Sequence, residues 1–134
     1  MKKILFVASE AVPFIKTGGL ADVVGSLPKY VDKEYFDVRV MLPKYMCMSQ
    51  ALRDKMTYKT HFYMDFNWKN EYVGILEAVE DGVIYYFIDN EKYFKRDGGE
   101  YGYLDDGERF AFFSRSVLEI LPTIDFFPDI IHVN

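Results

Sequence analysis

Hydrophobic positions along this chain follow a strand pattern first and a helix pattern next. The run "ILFVAS" (residues 4–9) is almost continuously apolar, as in a strand of a parallel sheet covered on both faces. Leu20, Val23, Val24, Leu27 and Val31 then recur at helical spacing and predict one buried helix face, with Pro28 bending or ending the helix near its last turn. "FDVRVMLP" (36–43) predicts a second strand closed by Pro43. Residues 4–43 therefore read as a βαβ unit, whose crossover is expected to be right-handed.

The middle of the chain changes character. "SQALRDKM" reads as one short helix, and "TYKTHFYMDF", "EYVGILEAV" and "GVIYYFIDN" read as three strands separated by "NWKN" and "EDG". Asp81-Gly82 is a hairpin signal, because a type I′ turn needs positive φ. This predicts a β-meander inserted into the α/β unit. "YFKRDGGEYGYLDDGERF" (93–110) reads as a long loop, after which Asp105 and Glu108 form a capping box. The helix they open carries Phe110, Phe113, Val117, Ile120 and Leu121 on one side and ends at Pro122. "DIIHVN" (129–134) begins another buried strand, giving three parallel strands. A doubly wound sheet keeps its ligand crevice at the carboxyl ends of its strands, where the next βα loop should begin. The chain is thus expected to be a fragment of a longer protein.

Composition narrows the partners. The chain has 134 residues, half of them hydrophobic, enough for a real core. A net charge of −5 without a basic stripe argues against nucleic acid, and no run approaches the length of a membrane span. The single cysteine, Cys47, has no internal disulfide partner and suits a reducing, cytoplasmic compartment. Cys47 and its neighbouring methionines read as packing groups, His61 as a structural residue at the surface of the meander or in a contact within it, and His132 as a core residue or one that supports the site from behind. Trp68 reads as an exposed turn residue.

The chemistry concentrates in "EAVPFIKTGGLADV" (10–23). A glycine pair opening a helix after a parallel strand lets backbone amides approach an anion, and Lys16 adds a full positive charge. A phosphate or diphosphate is one natural guest; an ordinary helix entry is the other reading the residues leave open. Lys16 precedes Gly18-Gly19, so neither a Walker A loop nor a dinucleotide fingerprint is present.

"ILFVASEAVPFIKTGGLADVVGSLPK", with its K-T-G-G-L-A-D-V run, resembles the opening of bacterial glycogen synthases and plant starch synthases. "YGYLDDGERFAFFSRSVLE" and "PDIIHVN" resemble later blocks of that family in the same order, so the resemblance covers essentially the whole chain. It implies a GT-B fold, with this chain an incomplete Rossmann-like N-terminal domain, an α/β parallel sheet with an inserted β-meander. The rest of that domain and a C-terminal nucleotide-binding domain lie outside residues 1–134.

The implied activity is a glycosyltransferase, moving glucose from ADP-glucose to the non-reducing end of an α-1,4-glucan with retention of configuration. No metal or other cofactor is implied. Carried over by position, Lys16 and Asp22 are the catalytic candidates. Glu10, Lys16, Gly18, Gly19, Asp22 and Tyr101 are the substrate-binding candidates, with Glu10 and Asp22 flanking the sugar and Tyr101 near the donor or acceptor sugar. Residues 1–134 alone are expected to be inactive. Two other classes remain: a non-catalytic glucan-binding module, suggested by 18% aromatic content, and a GT-B transferase with another donor sugar.

Overall fold

The computed structural model describes residues 1–134 and contains one mixed six-stranded sheet. Strand β1 (Lys2–Val7) leads through a loop to helix α1 (Gly19–Tyr30), and β2 (Phe36–Pro43) returns parallel to β1, pairing Ile4 with Val38 and Val7 with Met41. The expected βαβ unit is present. A short helix, α2 (Gln50–Asp54), precedes the meander β3 (Thr57–Phe66), β4 (Lys69–Glu80) and β5 (Val83–Asp89).

The sheet order is β3-β4-β5-β2-β1, followed by β6 (Ile130–Val133). Because β5 pairs parallel with β2, the meander is continuous with the central sheet, and four strands, not three, run parallel. Both meander turns have two central residues at positive φ: Asn67 (51°) with Trp68 (64°), and Asp81 (50°) with Gly82 (75°). Positive φ at both positions is the type I′ geometry that matches the twist of antiparallel strands.

The buried strands carry their apolar runs for a physical reason: both sheet faces are covered. On one face Phe14 packs on Tyr85 and Phe87 at 4.9 and 4.8 Å. On the other, Arg39 lies over Phe126 at 4.2 Å and donates to the Tyr86 hydroxyl at 2.5 Å. Helix α4 (Asp106–Ile120) adds Phe112, which meets Phe66 and Tyr93.

Several local expectations fail, each for an identifiable reason. Helix α1 buries Ala21, Val24, Gly25 and Pro28, leaving Val23 and Leu27 exposed. Its buried face is rotated because Gly25 lets the backbone of Val12 come close; a Cβ on Gly25 would lie 2.5 Å from the Val12 carbonyl oxygen. The capping box does not form, since Asp105 is held by Arg96 at 2.7 and 3.0 Å and Glu108 accepts from Asn67. A helical turn, α3 (Glu91–Phe94), precedes the long loop and takes its first two residues, and Asn90 caps it by accepting from the Tyr93 amide.

A register shift between Tyr58 and Thr60 turns Tyr58 out to solvent while Met64 points inward. Within residues 1–134, β6 lies at the sheet edge, pairs only with β1 and is exposed along its length rather than buried, and His132 is exposed there, stacked on Phe6. Cys47 is likewise exposed rather than packed.

Candidate active site

The carboxyl end of β1 runs into Ser9 and Glu10, and a tight bend brings residues 11–18 back to the start of α1. The Phe14 and Ile15 amides both donate to the Ala11 carbonyl, and the Val12 amide donates to the Ala21 carbonyl of the helix. The loop is therefore tied to α1 by its own backbone. Lys16 through Gly19 form its outer rim.

Glu10 is the buried centre of this arrangement, 2% exposed. Its Oε1 accepts from the amides of Gly18 and Ala21, both at 3.2 Å, and its Oε2 accepts from the Tyr101 hydroxyl at 3.0 Å. Gly18 occupies the N-cap position and has no side chain to cap with. Glu10 supplies the missing acceptor from across the loop, with its negative charge on the positive end of the helix dipole. A carboxylate engaged in three hydrogen bonds is a structural tie as well as a candidate ligand.

Tyr101 reaches this centre from the loop between α3 and α4. Its hydroxyl also lies 2.5 Å from Ser9 Oγ, and the Tyr45 hydroxyl donates to the Ser9 carbonyl at 2.7 Å. Burial, opposed by the Ser9 contact and reinforced by the Glu10 carboxylate, pushes the Tyr101 phenol up to about 12. The group is a neutral donor across the physiological range.

Lys16 and Asp22 form the outer layer. The ammonium donates to both carboxylate oxygens of Asp22, at 2.8 and 3.0 Å, with each side chain about half exposed. Both groups are free to exchange this contact for another, because an exposed ion pair contributes only about 0–1 kcal/mol.

The two glycines beside them are not explained by the fold. A Cβ added to Gly18 or Gly19 would meet no atom within 4 Å, and Gly18 has extended backbone that any residue adopts. The Gly19 amide, at the first helical position, donates no hydrogen bond within the protein. Bare backbone, an unpaired helix-terminal amide and a lysine thus share one rim, a combination suited to an anionic ligand. All six sequence candidates, Glu10, Lys16, Gly18, Gly19, Asp22 and Tyr101, fall in this one region.

The sequence reading missed the residues that hold it together. Arg109 is fully buried, donating to the carbonyls of Tyr93 at 2.6 Å and Glu100 at 3.0 Å and to Asp106 at 2.8 Å. Its guanidinium also lies 4.5 Å from the Tyr103 ring. It therefore fixes the loop on either side of Tyr101. The available signal was a charged residue on the apolar stripe of α4, three before Phe112 and four before Phe113.

Known proteins share this chain's sequence and fold. A family model described as the starch synthase catalytic domain matches residues 3–134. Glycogen synthases of Lachnoclostridium phytofermentans and Lachnospira eligens are each 60% identical across all of this chain. The chain spans 28% of the length of those two relatives. A solved catalytic domain of starch synthase IV from Arabidopsis thaliana, bound to ADP and acarbose, superposes with a TM-score of 0.86 at 34% identity. That match covers 98% of this chain and 27% of the other.

Proposed function

Since this chain belongs to the starch synthase catalytic domain family, we propose that it is part of a glycogen synthase, contributing the N-terminal portion of the catalytic domain. The reaction is retaining transfer of glucose from ADP-glucose to the non-reducing end of an α-1,4-glucan. The 60% identity to glycogen synthases supports the polymer, and the ADP bound to the Arabidopsis starch synthase supports the donor. A cytoplasmic location goes with this reading. No helix is long and apolar enough to cross a membrane.

The observation that carries the proposal is the rim at the carboxyl end of β1, where Lys16 stands beside two glycines that neither packing nor backbone conformation requires. Cleavage of a sugar–diphosphate bond builds negative charge on the leaving group. In this reading Lys16 and the Gly19 amide stabilise that charge in the transition state more than in the ground state. Asp22 holds the ammonium until the diphosphate takes its place, and its freed carboxylate then accepts from sugar hydroxyls. Glu10 and Tyr101 keep the helix end and the rim in register.

The test is incorporation of labelled glucose into glycogen by the full-length protein, with ADP-glucose and UDP-glucose compared and residues 1–134 run in parallel. Incorporation from ADP-glucose by the full-length form alone is the expected result. No incorporation from either donor overturns the assignment, and faster incorporation from UDP-glucose overturns the choice of donor.

A further inference from the structure

Tyr45 lies just beyond the carboxyl end of β2, and its hydroxyl crosses to the first βα loop, donating to the Ser9 carbonyl at 2.7 Å. No backbone amide donates to that carbonyl, so the phenol is what satisfies it. The Tyr45 side chain is 1% exposed, and its ring meets Phe94 edge-on at 5.8 Å. On one side of it the Lys44 amide donates to the Ile88 carbonyl of β5 at 2.8 Å; on the other the Met46 amide donates to the Phe94 carbonyl at 3.1 Å. Both chain neighbours are pinned, so the hydroxyl projects from a fixed point in a close-packed interior.

The peptide unit that this hydroxyl grips joins Ser9 to Glu10. Side chains at both of its ends converge on Tyr101: Ser9 Oγ lies 2.5 Å from the phenol oxygen, and Glu10 Oε2 accepts from it at 3.0 Å. A phenol has one proton, and here it goes to the carboxylate, so the serine hydroxyl is the donor in the Ser9–Tyr101 contact. The Tyr45 hydroxyl therefore orients the one peptide plane from which both Tyr101 contacts project. Burial raises the Tyr45 phenol well above its ordinary value, which keeps it a neutral donor.

Other core phenols have no such reach. Tyr85 is fully buried, yet its hydroxyl has no hydrogen-bond partner in the protein. The Tyr45 hydroxyl, by contrast, links the rim of β2 to the rim of β1 and ends on the residues that hold Tyr101.

We propose that Tyr45 is a positioning residue for glucose transfer, acting on Tyr101 through the Ser9–Glu10 peptide. The reaction, and the place of Tyr101 beside its sugar, rest on the glycogen synthase reading above. Without the hydroxyl the peptide is free to rotate, Ser9 and Glu10 shift relative to each other, and the Tyr101 phenol loses its fixed place on the rim. An error of alignment at the sugar lowers the rate of the chemical step more than the affinity for the substrate.

The experiment is a double-mutant cycle in the full-length enzyme, comparing wild type, Tyr45→Phe, Tyr101→Phe and the pair. Tyr85→Phe is the control for loss of a buried hydroxyl. kcat and KM for ADP-glucose are measured with glycogen as acceptor, and urea midpoints are recorded for each protein. Phenylalanine keeps the ring contact with Phe94, so Tyr45→Phe should fold. It should lower kcat about tenfold and leave KM within about twofold of wild type, as misalignment without loss of binding requires. In the Tyr101→Phe background the same substitution should lower kcat less than about twofold, since the phenol it positions is gone. Tyr85→Phe should leave kcat unchanged. Equal kcat losses in the two backgrounds, or no loss in Tyr45→Phe, overturn the assignment. A matching loss in Tyr85→Phe also overturns it, by showing a general effect of a weakened core. If the wild type incorporates no glucose from ADP-glucose or UDP-glucose, the synthase reading fails and the urea midpoints decide the coupling. Non-additive midpoint shifts of Tyr45→Phe and Tyr101→Phe then support it, and additive shifts overturn it.

Discussion

Tyr101 and Glu10 stand 91 residues apart in sequence and meet at 3.0 Å, the phenol donating to Oε2 while Oε1 holds the amides that open α1. One buried carboxylate thus joins the first βα loop to the loop before α4. Glu10→Ala leaves the Gly18 and Ala21 amides and the Tyr101 hydroxyl without this acceptor. It should cost about 2 kcal/mol of stability, because all three donors lose a charged partner while the Ala21 amide keeps the Gly18 carbonyl and the Tyr101 hydroxyl keeps Ser9. Urea denaturation of the two proteins measures the difference, and a loss under about 0.5 kcal/mol would show that water replaces the carboxylate freely.

Asp22 should behave differently, since its pair with Lys16 is half exposed. Asp22→Asn is expected to change stability by under about 1 kcal/mol. At the same time kcat/KM for the nucleotide sugar should drop about tenfold or more, equivalent to one charge-assisted hydrogen bond. Steady-state kinetics beside a thermal melt separates the two effects. A stability loss with unchanged kcat/KM would make Asp22 a structural residue only.

The glycines divide in the same way. Gly25→Ala places a Cβ 2.3 Å from Val12 Cγ2 and 2.5 Å from its carbonyl oxygen, so α1 must shift. The expected cost is about 3 kcal/mol, from overpacking against backbone. Gly18→Ala and Gly19→Ala meet nothing and should fold normally, yet both should lose transfer activity, because the added methyl group occupies the rim. Circular dichroism melts and glucose incorporation on the three variants decide the matter; full activity in Gly18→Ala and Gly19→Ala would remove the close-approach role.

Alkaline pH probes two phenols, Tyr85 buried and Tyr101 partly exposed. Burial raises Tyr101 and Tyr85 each to about 12, whereas the unfolded chain ionises its phenols near 10. The stability these two groups contribute is therefore complete below pH 10 and is lost as pH rises toward 12. Urea midpoints should fall across that window, and Tyr101→Phe should make the fall shallower. A Tyr101→Phe protein with the same pH slope as the wild type would contradict the placement of that phenol.

How much of this was legible in the sequence follows from how local each cause is. β1, β2 and the meander strands were readable because apolar runs and turn residues are local signals, and Asp81-Gly82 formed the turn its chemistry requires. The parallel docking of β5 on β2 was not readable, because pairing partners are chosen by the whole sheet. The buried face of α1 was misjudged because one close contact, Gly25 on Val12, outweighs the apolar count of Val23 and Leu27. Asp105 and Glu108 had the spacing of a capping box, yet Arg96 and Asn67 offered them stronger partners from outside the helix. In the site, Lys16 with Gly18-Gly19 stood out as a motif, whereas Arg109 did not, because its role depends on carbonyls of residues 93 and 100 that only the fold brings together.

The central claim is that Lys16 stabilises the charge that develops on a diphosphate leaving group. Its direct test is transfer of labelled glucose from ADP-glucose to glycogen by full-length wild-type and Lys16→Ala proteins, with the melting temperature of each recorded. The predicted result is a fall in kcat of about 100-fold or more, the scale of removing one preorganised charge-stabilising donor, with the melting temperature unchanged. A folded Lys16→Ala protein with near-normal kcat would contradict it.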